Sequence, residues 1–216
     1  MKPTVSTQYR TRHIALAGEL DALVAATAGP VVLLEGIRAL PDKDVEMVRR
    51  FGRWIAERYP TAIFRTGNAP GSDSAFAAGV AAVAPERLQY VLPYSQHRKA
   101  WVASRASSFA LDTLPHVAER RLVDLTTEAS PKLGRLGELY ATPNRGGAAG
   151  SKGAYILRDT MKVLGAHELG LAPAKAGIFY ANPDDPLAGG TGHTLRVCLL
   201  QGVPTVLQSV WSAWMK

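Results

Sequence analysis

Ala62-Ile63-Phe64-Arg65-Thr66-Gly67-Asn68-Ala69-Pro70-Gly71-Ser72-Asp73-Ser74-Ala75-Phe76 is the stretch that decides the fold. Ala62-Ile63-Phe64 is a short apolar run, the composition of a buried strand. A turn rich in Gly, Asn and Pro follows. Small residues from Ala75 to Ala84 then continue as a helix. Strand, glycine turn and helix in that order open a β–α unit. The same order occurs upstream. Val31-Val32-Leu33-Leu34 runs into Glu35-Gly36-Ile37-Arg38, and Pro41 and Asp42 open the next helix. Asp42, Asp44 and Glu46 occupy its first turn, where the helix dipole favours negative charge. Met47, Val48, Phe51, Trp54 and Ile55 share one face at helical spacing, and Pro60 closes it.

Working outward, Leu88 to Pro93 reads as a third strand and residues 97–110 as a helix. Leu122-Val123-Asp124-Leu125 reads as a further strand. Residues of about 126–153 form a loop-rich insertion with Lys132, Arg135, Arg145 and Lys152, either a functional loop or a mobile excursion. Residues 154–164 resume a helix. Ala176 to Ala181 is a strand, a helix runs to Gln201, and Val203 to Gln208 is the last strand. An N-terminal helix is expected over about 11–28. The predicted class is α/β, a doubly wound Rossmann-like three-layer fold with a mainly parallel sheet. With no internal repeat or linker, residues 1–216 read as a single domain.

Composition bounds the function. The chain has 216 residues, 47% hydrophobic and 20% charged, enough for a core and too apolar for global disorder. A net charge of +7 favours anionic partners: phosphates, nucleotides or nucleic acid. The single cysteine, Cys198, excludes an internal disulfide and a multi-cysteine zinc site. His13, His97, His116 and His167 lack metal-ligand spacing, so neither metal nor cofactor is expected. No signal-like or membrane-spanning run stands out, and a cytoplasmic protein is the expectation.

Three strand ends carry unusual turns: Gly36-Ile37-Arg38, Gly67 to Asp73, and Gly189-Gly190-Thr191-Gly192-His193-Thr194. In an open parallel sheet such turns gather at the carboxyl edge, where ligands bind. Glycines let the backbone approach closely, and helix N-termini attract anions. Gly36, Arg38, Gly67, Asn68, Gly71, Ser72, Asp73, Gly189, Gly190, Thr191, Gly192, His193 and Thr194 are therefore the candidate ligand-binding residues. Standard signatures fail. Gly146 to Lys152 lacks the Gly-Lys-Ser/Thr step of a P-loop, and Leu195 stands where a dinucleotide fingerprint wants a third glycine.

Several residues carry two readings. Asp73 would contact a ribose hydroxyl or cap the following helix. His193 would meet a phosphate or be a polar surface residue. Glu35 would be a buried acid near the site or a partner of Arg38. Trp101, Trp211 and Trp214 would stack a base or pack internally. The apolar tail Val206 to Met215 would pack on the domain or on a second copy, and a homodimer is expected.

Phe64 to Phe76 resembles the "SGGAxGxD" turn of the SLOG superfamily, which unites LOG phosphoribohydrolases, the DNA-processing protein DprA and nucleotide-sensing domains. Gly36-Ile37-Arg38 resembles its "GSR" turn, and Gly189 to Thr194 its "GGxGT" motif. The resemblance covers about residues 30–95 and 175–210. It implies a nucleotide-like ligand, with Gly36 and Arg38 flanking it, Gly67, Gly71, Ser72 and Asp73 forming one wall, and Gly189 to Gly192 with Thr194 holding a phosphate. LOG hydrolases place a glutamate after the second motif. Here Leu195, Arg196 and Val197 stand there, and Arg196 would bind an anion instead of serving as a base. The expected function is binding or sensing of a nucleotide. N-glycosidic hydrolysis of LOG type and single-stranded DNA binding of DprA type are the alternatives.

Overall fold

The computed structural model describes residues 13–142 and 147–215. Its six strands are β1 (Val31–Gly36), β2 (Ile63–Thr66), β3 (Leu88–Leu92), β4 (Ser107–Ala110), β5 (Ala176–Tyr180) and β6 (Thr205–Leu207). They form one sheet in the order β4-β3-β2-β1-β5-β6, and every neighbouring pair is parallel. The chain winds outward from β1 to β4, then returns to place β5 on the other side of β1. That reversal makes the β1/β5 seam the topological switch point, where a crevice opens at the strand ends.

The strands read as continuous apolar runs because both sheet faces are covered. Alternation assigns each residue to a face. Val32, Leu34, Phe64, Tyr90, Leu92, Ile178 and Tyr180 join one core with α1 (Ala17–Ala25), α2 (Asp42–Arg58) and α3 (Ser72–Ala81). Leu33 and Phe179 point the other way, toward α7 (Gly189–Leu200). On that same face Val91 packs beneath α4 (His116–Ala129), α5 (Pro131–Tyr140) and α6 (Gly147–Leu164). The three-layer Rossmann-like class read from the sequence is the one observed, with an all-parallel sheet.

α2 and α3 cross with backbones nearly touching. A Cβ at Gly52 would lie 2.3 Å from the Phe76 carbonyl oxygen, and one at Gly79 would lie 2.0 Å from that of Arg49. The apolar tail packs on its own domain. Trp211, on the short α8 (Gln208–Trp211), is fully buried, with its ring centroid 4.4 Å from Phe51 and its indole N–H donating to the Phe179 carbonyl at 2.9 Å.

Three sequence expectations are corrected. Residues 97–110 are not helical: a 3-10 turn at Lys99–Trp101 precedes the edge strand β4. Leu122 to Leu125 is part of α4, with Ala118, Leu122 and Thr126 at helical spacing on its buried face. The segment 126–153 is mostly helical, occupied by the end of α4, α5 and the start of α6. The N-terminal helix covers only Ala17–Ala25 within the expected 11–28, whose first two residues lie outside the described part, as does Arg145.

Candidate functional site

The carboxyl ends of β1 and β2 carry the first wall. Leu34 is followed by Glu35 and Gly36 before the chain turns to Arg38, and Thr66 runs into Gly67 and Asn68. The Asp73 carboxylate ties these turns together. Its Oδ1 accepts from the Gly36 N–H at 3.2 Å, and its Oδ2 accepts from the N–H groups of Gly67 at 3.1 Å and Ala69 at 3.3 Å. Asp73 is thus the clasp of two turns, and the residue capping α3 is Gly71. Gly71 has φ +80°, and a Cβ there would lie 2.2 Å from the Arg38 carbonyl oxygen, so only glycine fits. Ser72 donates both its N–H and its hydroxyl to the Ile37 carbonyl. Buried Asn68 donates its amide to the Arg98 carbonyl at 3.0 Å.

The opposite wall is α6, a helix read from the sequence without any site residue assigned to it. Tyr155, Arg158, Asp159 and Lys162 recur at the spacing of one helical face and all line a cleft of about 460 Å³. Below them, on the sheet face that α6 covers, sit Glu35 of β1, Arg65 of β2 and Gln89 of β3. Lys162 donates to Glu35 Oε2, and its Nζ lies 2.8 Å from Asp159 Oδ1. Arg158 Nε lies 3.1 Å from the same Asp159 oxygen, while Arg158 Nη1 donates to the Gly67 carbonyl. Arg65 is fully buried, donating to the Lys162 carbonyl at 2.9 Å and to Gln89 Oε1. Glu35 therefore pairs with Lys162, and not with Arg38.

Burial sets the charge states of this floor. Glu35 loses solvation, and the nearby Asp73 and Asp159 charges add to that loss; despite Lys162, its carboxyl is pushed up to about 8. Asp159 moves the other way: burial opposes its charge, but Arg158 and Lys162 hold it below the usual carboxylate range. Burial also pulls Arg65 down to about 9. Among the described residues Glu35 Oε1 is buried with no hydrogen-bond partner, and so is Arg158 Nε, which meets Asp159 as an ion pair only.

The third wall is α7. Gly189, Gly190 and Thr191 are its first turn rather than a loop before it, and Ala188, Gly189, Gly190 and Thr191 line the cleft. No side chain caps this N-terminus, so first-turn N–H groups lack intrahelical partners. Arg38, exposed at the rim, stacks over the Tyr155 ring at 5.5 Å and makes no hydrogen bond or ion pair among the described residues. Arg158 and Lys162 both pair with Asp159, whereas Arg38 and the α7 terminus are positive groups of the cleft without a carboxylate beside them among the described residues.

Of the thirteen residues singled out from the sequence, Gly36, Arg38, Asp73, Gly189, Gly190 and Thr191 line the cleft. Gly67, Asn68, Gly71 and Ser72 shape its turns from behind. Gly192 packs on the Leu187 backbone. Thr194 is buried and donates back to the Gly190 carbonyl. His193 is neither a phosphate contact nor a surface residue. Fully buried, it lies between Ser130 Oγ and Thr160 Oγ1, each at 2.9 Å, and burial pulls it down to about 4. Arg196 donates from its guanidinium to Ser130 Oγ and to the Leu187 carbonyl, both at 2.7 Å.

No family model, no curated protein and no solved structure matches this chain. The resemblance to the SLOG superfamily thus rests on its motifs.

Proposed function

We propose that the cleft binds a nucleotide or a nucleotide-derived phosphate ligand, and that the protein works as a binding or sensing domain. One observation carries the reading: an uncapped helix N-terminus, Gly189 to Thr191, shares a cleft at the topological switch point with the unpaired Arg38 guanidinium. Backbone N–H groups there suit phosphate oxygens, and a guanidinium pairs with phosphate bidentately. The Tyr155 ring, with Arg38 over it, holds that cation at the cleft rim. A thermal-shift screen of nucleoside monophosphates, inorganic phosphate and sulfate tests this. Binding raises the melting temperature by linkage, and Arg38→Ala reduces the rise. A rise of full size in Arg38→Ala places the ligand elsewhere.

N-glycosidic hydrolysis is the second reading, and Glu35 favours it. A cleft-lining carboxyl that holds its proton at neutral pH is the type of group that serves as a general acid. Against it stands Arg196, which occupies the neighbourhood of the family's glutamate and donates to Ser130 and Leu187.

A further inference from the structure

The orphaned oxygen of Glu35 narrows the ligand class. Glu35 is only 3% exposed, yet it lines the cleft. Its two oxygens are not equivalent. Oε2 is held by Lys162, which also reaches Asp159, so the carboxyl group cannot swing away without breaking that pair. Oε1 has no partner. A buried, unsatisfied carboxyl oxygen has given up water for nothing in return, and native structures rarely leave one without a reason. Glu35 lies at the end of β1, at the floor of the cleft, whereas Arg38 and the α7 N-terminus hold its anion-attracting groups. A ligand that places its phosphate on those groups has its remaining atoms available to the floor.

Chemistry selects the ligand atom that fits. A ligand carbonyl or a second phosphate oxygen pairs with Glu35 only while the carboxyl holds its proton, and faces it acceptor to acceptor once it ionises. An ammonium would compete with Lys162 and Arg158 for the same carboxylates. A hydroxyl donates to the ionised carboxylate and accepts from the protonated acid, so it pairs with Glu35 in either state. We propose that Glu35 Oε1 recognises a sugar hydroxyl, and that the ligand is a phosphorylated, hydroxyl-bearing sugar or nucleotide rather than a bare anion. This rests on the phosphate-binding reading given above. It adds a specificity residue that no glycine motif contains. Lys162 is then a positioning residue, fixing the carboxyl so that Oε1 points to the ligand.

Calorimetric titration with ribose 5-phosphate and with ethyl phosphate, which has the anion but no hydroxyl, separates the two ideas. Wild type is expected to bind ribose 5-phosphate about tenfold more tightly, the upper end of what one uncharged hydrogen bond contributes. In Glu35→Gln that ratio is expected to shrink to about threefold or less, because Lys162 claims the one amide oxygen and leaves an NH2 group that cannot accept from the ligand hydroxyl. Equal binding of the two esters by wild type overturns the hydroxyl assignment while leaving the anion site standing. Binding of neither overturns both. A ratio undiminished in Glu35→Gln overturns the role of Glu35. Should that variant fail to fold, Glu35→Asp keeps the charge against Lys162 and withdraws the oxygens by one methylene. It is expected to lose the same preference, and retention there is equally fatal.

Discussion

Lys162 donates to Glu35 across 127 positions of sequence, joining the last turn of α6 to the end of the first strand. Both groups are buried, and Asp159 shares the ammonium from one turn earlier. A lysine removed from water this completely stays charged because two carboxylates raise its pKa against the burial that lowers it. The pair is thus a cross-brace between the layers that meet at the cleft.

Removing one arm of that brace strands the others. Lys162→Met is expected to destabilise the fold by about 3–5 kcal/mol, the cost of an uncompensated buried charge. Urea denaturation measures it. Adding Glu35→Gln to Lys162→Met is expected to cost less than the same change in wild type, because the carboxyl it replaces has already lost its partner. Additive losses would mean that the two side chains do not interact.

Much of this site was visible in the sequence only as an anomaly. Glu35 and Arg65 are charged residues inside strands whose neighbours are apolar, and a buried polar residue is the informative case. Tyr155, Arg158, Asp159 and Lys162 repeat at helical spacing, but a charged stripe usually faces water. Only the covering helix shows that this one faces the sheet. The β–α turns were legible because glycine and proline punctuate them. The segment 126–153 was not, because its glycines read as loop residues. A Cβ at Gly153 would lie 2.0 Å from the Leu136 carbonyl oxygen, and one at Gly134 would lie 2.3 Å from Thr127 Oγ1. Those glycines permit close helix crossings, a reason no local pattern reveals. The edge strand β4 begins with two exposed serines and carries no apolar run to announce it.

Gly190 offers a steric test of the anion site. A Cβ there would already lie 3.0 Å from Asp159 Oδ2, and a larger side chain would project into the α7 end of the cleft. Gly190→Leu is expected to abolish the nucleotide-induced thermal shift. Far-ultraviolet circular dichroism checks that the fold survives. A full shift in a folded variant would place the ligand away from α7.

His193 gives the protein an acid-sensitive component. Its folded pKa, near 4, lies below its ordinary 6.5, so the unfolded chain binds the extra proton. Its contribution is complete above about pH 6.5 and is lost as the pH falls toward 4, amounting to about 3 kcal/mol at most. Glu35 acts in the opposite sense. Its raised pKa makes the folded state hold a proton, so stability declines as pH rises from about 4.5 to 8. The test is therefore a difference: wild type minus His193→Gln, from denaturation midpoints between pH 4 and 7. That difference is expected to shrink toward low pH. A constant difference would mean that His193 titrates normally.

Nucleoside monophosphates are expected to bind without releasing free base. Arg196 stays protonated at working pH and is turned away from the cleft. Chromatography over hours at micromolar protein follows the base. Release that disappears in Glu35→Gln would replace the binding reading with a hydrolase using a relocated acid.

The backbone-to-backbone crossing of α2 and α3 at Gly52 and Gly79 has a consequence for how the cleft breathes. Each helix begins just beyond a turn that builds the first wall, and no side chain lies between them at the crossing to act as a bearing. Amides in the two helices therefore exchange with solvent hydrogen through one shared opening rather than two independent ones. The wall bearing Arg38 and Asp73 behaves as an anvil of fixed shape. On the binding reading proposed above, accommodation of ligands of different size is expected at the other jaw, α6 and the first turn of α7.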